Sequence, residues 1–213
     1  MGNKRFIAVM TTLVILIVLF VLFINKILPS ENIDLLTNLP DKTYNWENLE
    51  LGTNPGAPIT IIEFGDFTCT HCAALAPDIK TLLSLYPGEI NLVFKHYPND
   101  ETKDSPRAAL ASECARQQEK FIEYHDLLFE RQLDFSYNKL IEYAAKLGVH
   151  PQKFVECMEN FKTLPKVEND IKEARLNGVR GTPTLFINNR KIEGVQPLQT
   201  LRLLIDQEKI RVK

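Results

Sequence analysis

Residues 59–72 read Ile59-Thr60-Ile61-Ile62-Glu63-Phe64-Gly65-Asp66-Phe67-Thr68-Cys69-Thr70-His71-Cys72. The run from Pro58 to Phe64 is short, apolar and β-branched, which reads as a buried strand. Beyond Cys69 the spacing changes: Ala73, Leu75, Ala76, Ile79, Leu82, Leu83 and Leu85 recur with a helical period over residues 70–86, and Pro77 interrupts the pattern and should kink it. Ile90 to Phe94 is the next strand, so the segment forms a βαβ unit with a right-handed crossover. Two cysteines three positions apart stand where the strand gives way to the helix. Residues i and i+3 on a first helical turn are neighbours, so their sulfurs can bond with little loop closure. The helix N-terminus presents unpaired N–H groups and partial positive charge, which favour a thiolate on Cys69 with Cys72 buried behind it. That field is worth up to about 2 kcal/mol, roughly 1.5 pKa units. A strongly acidic thiol would need more, from His71, Thr182 and direct N–H···S bonds. The alternative is half of a zinc site, which would need two further ligands. Cys114 and Cys157 are the remaining cysteines, each isolated in a helical pattern. The reading is therefore redox chemistry with no metal.

Working outward, residues 105–177 hold no convincing strand. Ser105-Pro106 opens a helix with proline at its first position, carried on by Ala108, Leu110, Ala111, Cys114 and Ala115. Phe121, His125, Leu128 and Phe129 carry a second helix. Leu140, Ile141, Ala144 and Leu147 carry a third, stopped by Gly148. Residues 151–161 and 164–176 complete the helical stretch. After Gly178 the pattern reverts to a strand over Thr184–Ile187, a turn at Asn188-Asn189, a short strand over Lys191–Glu193 and a last helix from Pro197 to Gln207. Gly178-Val179-Arg180-Gly181-Thr182-Pro183-Thr184 leads into that first strand, and its two glycines suggest a close backbone approach. Tyr44 to Leu51 reads as a further short strand.

The N-terminal thirty residues are a separate object. Phe6 to Ile24 carries no charge over nineteen residues, a helix of about 28 Å against a hydrocarbon core of about 30 Å. Lys4 and Arg5 precede it as a cytoplasmic flank should. The run is longer than the apolar part of a cleaved signal and is followed by no small-residue cleavage site. An uncleaved membrane anchor over residues 1–28 is the preferred reading, with a cleaved signal as the alternative. Residues 29–43 are polar and read as a tether. Lys4, Arg5 and Lys26 are the basic residues in this region, whereas all 27 acidic residues lie beyond residue 30. The remainder of the 213-residue chain is thus net acidic, which argues against nucleic acid. A hydrophobic fraction of 45% and a charged fraction of 24% exclude a disordered or low-complexity chain.

The sequence resembles the DsbA-like branch of the thioredoxin superfamily. The likeness rests on Ile62-Glu63-Phe64, the Cys69-to-Cys72 motif, the 178–184 run, and Phe121, His125-Asp126-Leu127-Leu128-Phe129 and Tyr143-Ala144 in the helical region. It implies an α/β thioredoxin-like fold with an inserted all-helical subdomain, preceded here by one transmembrane helix. The division is a core over 44–99, an insertion over 100–177 and the rest of the core over 178–213. It also implies a thiol–disulfide oxidoreductase with catalytic Cys69 and Cys72, supported by Thr70, His71, Thr182, Pro183 and Glu63. The Thr182–Pro183 bond is expected to be cis and packed on the cysteine pair, which exposes the Thr182 backbone to a substrate chain. Glu63 would be a buried acid relaying the proton of Cys72, with Lys95 as a possible partner; alternatively it is a strand-end residue reaching solvent. The best-known oxidases carry Pro-His between their cysteines. Thr70 in the first place leaves the redox poise open, so an oxidase is preferred over a reductase or isomerase using the same site. An isomerase would need a dimerisation module, for which residues 25–43 are too short and polar, so a monomer is expected.

The resemblance further implies that exported polypeptides with free thiols are the substrates, that a DsbB-like quinone-linked membrane protein is the re-oxidant, and that no organic cofactor is needed. Oxidative chemistry belongs in an oxidising compartment, so the chain is expected in the inner (cytoplasmic) membrane, single-pass, with residues 25–213 facing the periplasm or its equivalent. Cys114 and Cys157 each lie on an inward-facing helical stripe. They are expected to form a structural disulfide, with two separate buried thiols as the plainer alternative. His96, His125 and His150 read as structural, and Phe67 suits either the core or an apolar surface for substrates.

Overall fold

The computed structural model describes residues 15–20, 44, 46, 52–132 and 134–212. The chain divides into two compact units, Met1–Asp41 and Lys42–Lys213. In the first, residues 15–20 are helical and exposed. Among the described residues no helix is long and apolar enough to cross a membrane. The expected span over residues 6–24 lies outside the described residues except for 15–20, and the tether over 29–43 lies outside them entirely. Of the strand expected over residues 44–51, Tyr44 and Trp46 are described, and neither is in a strand.

The second unit is built on a four-stranded sheet. Strands β1 (Ile59–Gly65), β2 (Ile90–His96), β3 (Thr184–Ile187) and β4 (Arg190–Glu193) lie in the order β2-β1-β3-β4. β1 and β2 are parallel, joined by helix α1 (Thr70–Leu85), and β3 runs antiparallel to β1 and β4. The β3–β4 hairpin turns at Asn188, whose φ of 50° suits asparagine. Between β2 and β3 come five helices: α2 (Asp104–Arg116), α3 (Phe121–Glu130), α4 (Tyr137–Lys146), α5 (Pro151–Glu159) and α6 (Leu164–Leu176); α7 (Leu198–Arg211) closes the chain. Pro106 is the third residue of α2 rather than the first. It is tolerated there because the first four N–H groups of a helix have no intrahelical acceptor. α1 continues through Pro77 to Leu85.

Alternation along β1 sorts the sheet into two faces. Ile59 and Ile61, with Leu92, Leu185 and Ile187, pack on Leu75, Ile79 and Leu82 of α1 and on Leu201, Leu204 and Ile205 of α7. Ile62 and Phe64, with Val93 and Phe186, pack on Ala174 of α6 and on Val179, joined by Tyr44 and Trp46. Each such fully buried side chain contributes about 1.5–3 kcal/mol. The helices between β2 and β3 have a third core, built on residues such as Ala111, Tyr124, Leu128, Leu140 and Phe154, which also takes in Phe67, Cys72 and Phe94. The cysteine pair therefore stands where the sheet meets the helical core. Cys114 on α2 and Cys157 on α5 are joined by a disulfide with a Cα–Cα distance of 5.8 Å.

Candidate active site

Cys69 is the N-cap of α1, with extended backbone (φ −78°, ψ 118°). Its N–H donates to the Asp66 carbonyl at 3.0 Å, and its carbonyl accepts from Ala73 N–H at 3.1 Å as the first helical bond. This leaves Cys69 partly exposed and puts Cys72 one turn on, fully buried; both are free thiols. The side chains of Thr70 and His71 are exposed on the same turn. Across from them, the Thr182–Pro183 peptide is cis, and Cys69 Sγ lies 3.4 Å from the Thr182 carbonyl oxygen. The turn is held locally: Thr184 Oγ1 donates to Gly181 O at 2.7 Å and Gly194 N–H to Pro183 O at 2.9 Å.

The two sulfurs differ sharply in proton affinity. The Cys69 thiol is held well below the usual range, at about 5, first by the hydrogen bond from Cys72 and then by the Thr182 side chain and the backbone N–H groups of Cys72 and His71, against an opposing cost of burial. Cys72 is raised by sharing its proton with Cys69, by burial, and, above the pH at which Glu63 ionises, by the charge of that carboxylate. The leading cause on Cys69 is thus its partner thiol, and His71 acts through its backbone N–H rather than its ring. The thiol form of Cys69 points its proton at the Thr182 carbonyl, an acceptor that cannot stabilise a thiolate, so the stabilising group on Thr182 is its hydroxyl.

Glu63 is 1% exposed, which excludes the solvent-reaching alternative. Burial pushes its carboxyl up to about 8, and Oε1 has no hydrogen-bond partner among the described residues. The expected pairing with Lys95 is corrected by the sheet register. Glu63 is paired with Phe94 and Phe64 with Lys95, so the two charged residues project from opposite faces. Lys95, fully buried, instead reaches α6, with Nζ 2.6 Å from Glu173 Oε2 and 3.8 Å from Asp170 Oδ1. The two glycines near Pro183 are corrected as well. A Cβ at Gly181 would meet nothing within 4 Å, while Gly178 has a φ of +69° and serves the backbone turn. The close approach is at Gly65, where a Cβ would come within 2.5 Å of the Phe94 ring.

Phe67 is 1% exposed and is a core residue, so it offers no surface to substrates. Its ring stacks on Phe94 at 5.2 Å and packs against Phe129 and His125. His125 is kept neutral by burial. His96 Nε2 contacts Glu113 Oε1 at 2.8 Å, and His150 is the N-cap of α5, its N–H donating to Gln118. Among the described residues no cluster of His, Cys, Asp or Glu is placed to hold a metal ion. Cys114 and Cys157 bond each other, so neither joins Cys69 and Cys72 in a zinc set.

Two contributors have no motif in the sequence. Asp66, almost buried, accepts from Thr68 N–H at 2.8 Å, Thr68 Oγ1 at 2.9 Å, Ser105 Oγ at 2.7 Å and Asn99 N–H at 3.0 Å, and so ties the loop before Cys69 to the start of α2. Gln132, just beyond α3, donates through Nε2 to the carbonyls of Phe67 and Cys69, both at 2.8 Å. A residue of the helical region thereby fixes the main chain that presents the reactive sulfur.

Residues 50–207 match the family described as Thioredoxin. The chain belongs to that family. Its fold is shared by the thiol–disulfide exchange protein α-DsbA2 from Wolbachia pipientis (24% identity, TM-score 0.65, covering 84% of this chain and 92% of that one). It is shared too by a thioredoxin-like oxidoreductase from Silicibacter pomeroyi DSS-3 (22%, 0.68, 82% and 95%) and by BdbD from Bacillus subtilis (23%, 0.67, 79% and 98%). In sequence, the chain is 33% identical over 146 residues to the Na(+)/H(+) antiporter NhaA 3 of Salinispora tropica, covering 68% of this chain and 22% of the antiporter. It is 30% identical over 150 residues to NhaA of Herminiimonas arsenicoxydans, covering 70% of this chain and 24% of that protein. The chain thus spans under a quarter of the length of these curated relatives.

Proposed function

We propose that this thioredoxin-family chain is a thiol–disulfide oxidoreductase working as an oxidase, donating a Cys69–Cys72 disulfide to exported polypeptides. The observation that carries the reading is the placement of a partly exposed Cys69 at the helix N-terminus beside the cis Thr182–Pro183 turn, with Cys72 buried one turn on. That placement lowers the Cys69 thiol to about 5 and holds the proton on Cys72. A thiolate stabilised on Cys69 favours the reduced pair, which makes its disulfide a better oxidant and Cys69 a better leaving group.

In the oxidised protein a substrate thiolate attacks Cys69 Sγ, the Cys69–Cys72 bond breaks, and Cys72 leaves as a thiolate that takes up a proton. Glu63, a neutral acid at pH 7 beside Cys72, is suited to supply that proton. A second substrate thiol loses its proton and attacks the substrate sulfur of the mixed disulfide, and Cys69 departs as a thiolate. Two substrate thiols are oxidised to one disulfide, and the two electrons stay on the Cys69–Cys72 pair. Pro183 and the Thr182 backbone border the sulfur under attack, where an extended chain can pair.

A DsbB-like quinone-linked membrane protein would accept the electrons. Anchorage by residues 6–24 in the inner membrane, with a monomeric catalytic part outside, fits the uncharged run behind Lys4 and Arg5. Protease treatment of intact spheroplasts should then digest the catalytic part, and a shielded one contradicts this topology. The deciding experiment for the oxidase reading is the equilibrium of the Cys69–Cys72 pair with glutathione. A potential above about −150 mV supports an oxidase; one near −270 mV assigns the same site to a reductase.

A further inference from the structure

A groove of about 470 Å³ lies between the loop after β2 and the face of α6; neither active-site cysteine lines it, but Gly181 and Thr182 of the cis-proline turn do. Its floor is apolar, formed by Pro106 and Leu110 of α2 and by Leu164, Val167 and Ile171 of α6. The carbonyl of Thr182, which lines it, lies 3.4 Å from Cys69 Sγ. Leu164, Glu168, Ile171 and Arg175 recur at the spacing of one helix face. A second hollow, lined by Ile171, Arg175 and Leu176 among others, extends the trough along that face. Leu164 and Leu176 are 36% and 74% exposed. A partly apolar trough that includes Thr182, the residue bordering Cys69 Sγ, suits an extended polypeptide better than a compact molecule.

The charges on its walls are Asp66, Asp100, Glu168, Arg175 and Arg180. Asp66 is committed to its four hydrogen bonds. Arg175 and Arg180 are exposed; Arg180 is near enough to Glu193 for its charge to help lower that carboxyl, which is itself ion-paired to Lys191. Arg180 stands two residues before Thr182, and Arg175 ends the α6 stripe nearest to it in the chain. Glu168 sits two helical turns back from Arg175, about 10 Å away, so the sign of the wall changes along the groove.

We propose that this groove holds the substrate polypeptide beside its reacting cysteine, with an apolar side chain on the Leu164–Ile171 floor and a carboxylate against Arg175 and Arg180. The proposal rests on the oxidoreductase reading and adds a charge preference to it. Substrates with Asp or Glu at one defined distance from the thiol react faster than those with Lys there, and the preference is lost at positions reaching Glu168 or Asp100.

The test uses the oxidised protein and single-cysteine peptides carrying Glu, Gln or Lys at each of four positions on either side of the cysteine. Mixed-disulfide formation is followed by stopped flow, and each rate is divided by the same peptide's rate with a small aromatic disulfide, which removes the effect of the charge on the thiol itself. At one position Glu should exceed Lys by about three- to fivefold at low salt, the scale of exposed ion pairs, and the ratio should fall toward one in about 0.5 M salt. Arg175→Glu with Arg180→Glu should invert the ratio, and Arg180→Gln should bring it near one. A wild-type ratio below about twofold at every position, or one that survives the double reversal, overturns the proposal. Exchange with dithiothreitol tests the underlying reading separately. A disulfide that does not exchange removes that reading, whereas one that exchanges without a charge preference removes the groove alone.

Discussion

Glu63→Gln keeps the size of a side chain that is 1% exposed and removes its ability to ionise. Burial raises the folded-state value from an ordinary 4.5 to about 8. Between those values the folded protein holds a proton that the unfolded chain has released, so stability is full below 4.5 and is lost as pH rises through about 8. At about 1.4 kcal/mol per pH unit the loss is at most about 5 kcal/mol. In the reduced protein Cys69 opposes this. Its value falls from an ordinary 9.0 to about 5, so its contribution is present above 9 and is lost as pH falls toward 5; being half-exposed, it is weakened by solvent. Oxidising the pair removes that opposing contribution. The assay is therefore urea unfolding of the oxidised wild type and the oxidised variant from pH 5 to 8.5. Groups common to both, such as His125, cancel in the difference. The variant should be equal or slightly less stable at pH 5 and several kcal/mol more stable at pH 8.5. Parallel stability curves across that range would refute a buried, neutral Glu63.

Limiting iodoacetamide added to the reduced protein should label Cys69 before Cys72, with a reactivity profile whose midpoint lies near pH 5; preferential labelling of Cys72 reverses the assignment. Gln132→Leu removes two donors to main-chain carbonyls and should cost about 1–3 kcal/mol in unfolding. It should also move the midpoint of Cys69 alkylation upward, a shift that a purely structural residue would not produce. Replacing Cys114 and Cys157 together by Ala opens a link between residues 43 apart, worth about 4 kcal/mol in the chain-entropy model. Denaturant titration should register that loss, and a change under 1 kcal/mol would deny the bridge a structural role.

Much of the architecture could be read from local pattern. The β-branched run before Asp66 and the helical spacing after Cys69 mark β1 and α1 because both periods are set by backbone geometry. The helices between residues 105 and 176 declare themselves in the same way, to within a few residues at their ends. What was not legible depends on register and on distant partners. Whether Glu63 meets Lys95 turns on which residues of β1 and β2 lie side by side, and a parallel pairing offset by one residue would reverse the answer. Phe67 has the composition of either a surface or a core residue, and its burial follows from the helical core closing over it. Gln132 carries no signature: a glutamine just after a helix is common, and its role depends on carbonyls 63 and 65 positions away.

The central position of β1 has a consequence for the order in which the molecule is assembled. β1 pairs with β2 after a short crossover, but its other edge waits for β3, with Ile61 beside Ile187. At about 5–20 residues per second, synthesis of the 110 residues between Cys72 and Pro183 takes roughly 6–22 s. During that interval the sheet is half-built, one edge of its middle strand is uncovered, and Cys69 lacks the Thr182 carbonyl that borders it in the finished fold. Cys114 emerges well before its partner Cys157, so the nascent chain passes through a stage with three thiols and no correct pairing for the third. The third thiol therefore has no native partner until Cys157 has been added, and the active-site pair no Thr182 beside it until the second half of the core has followed.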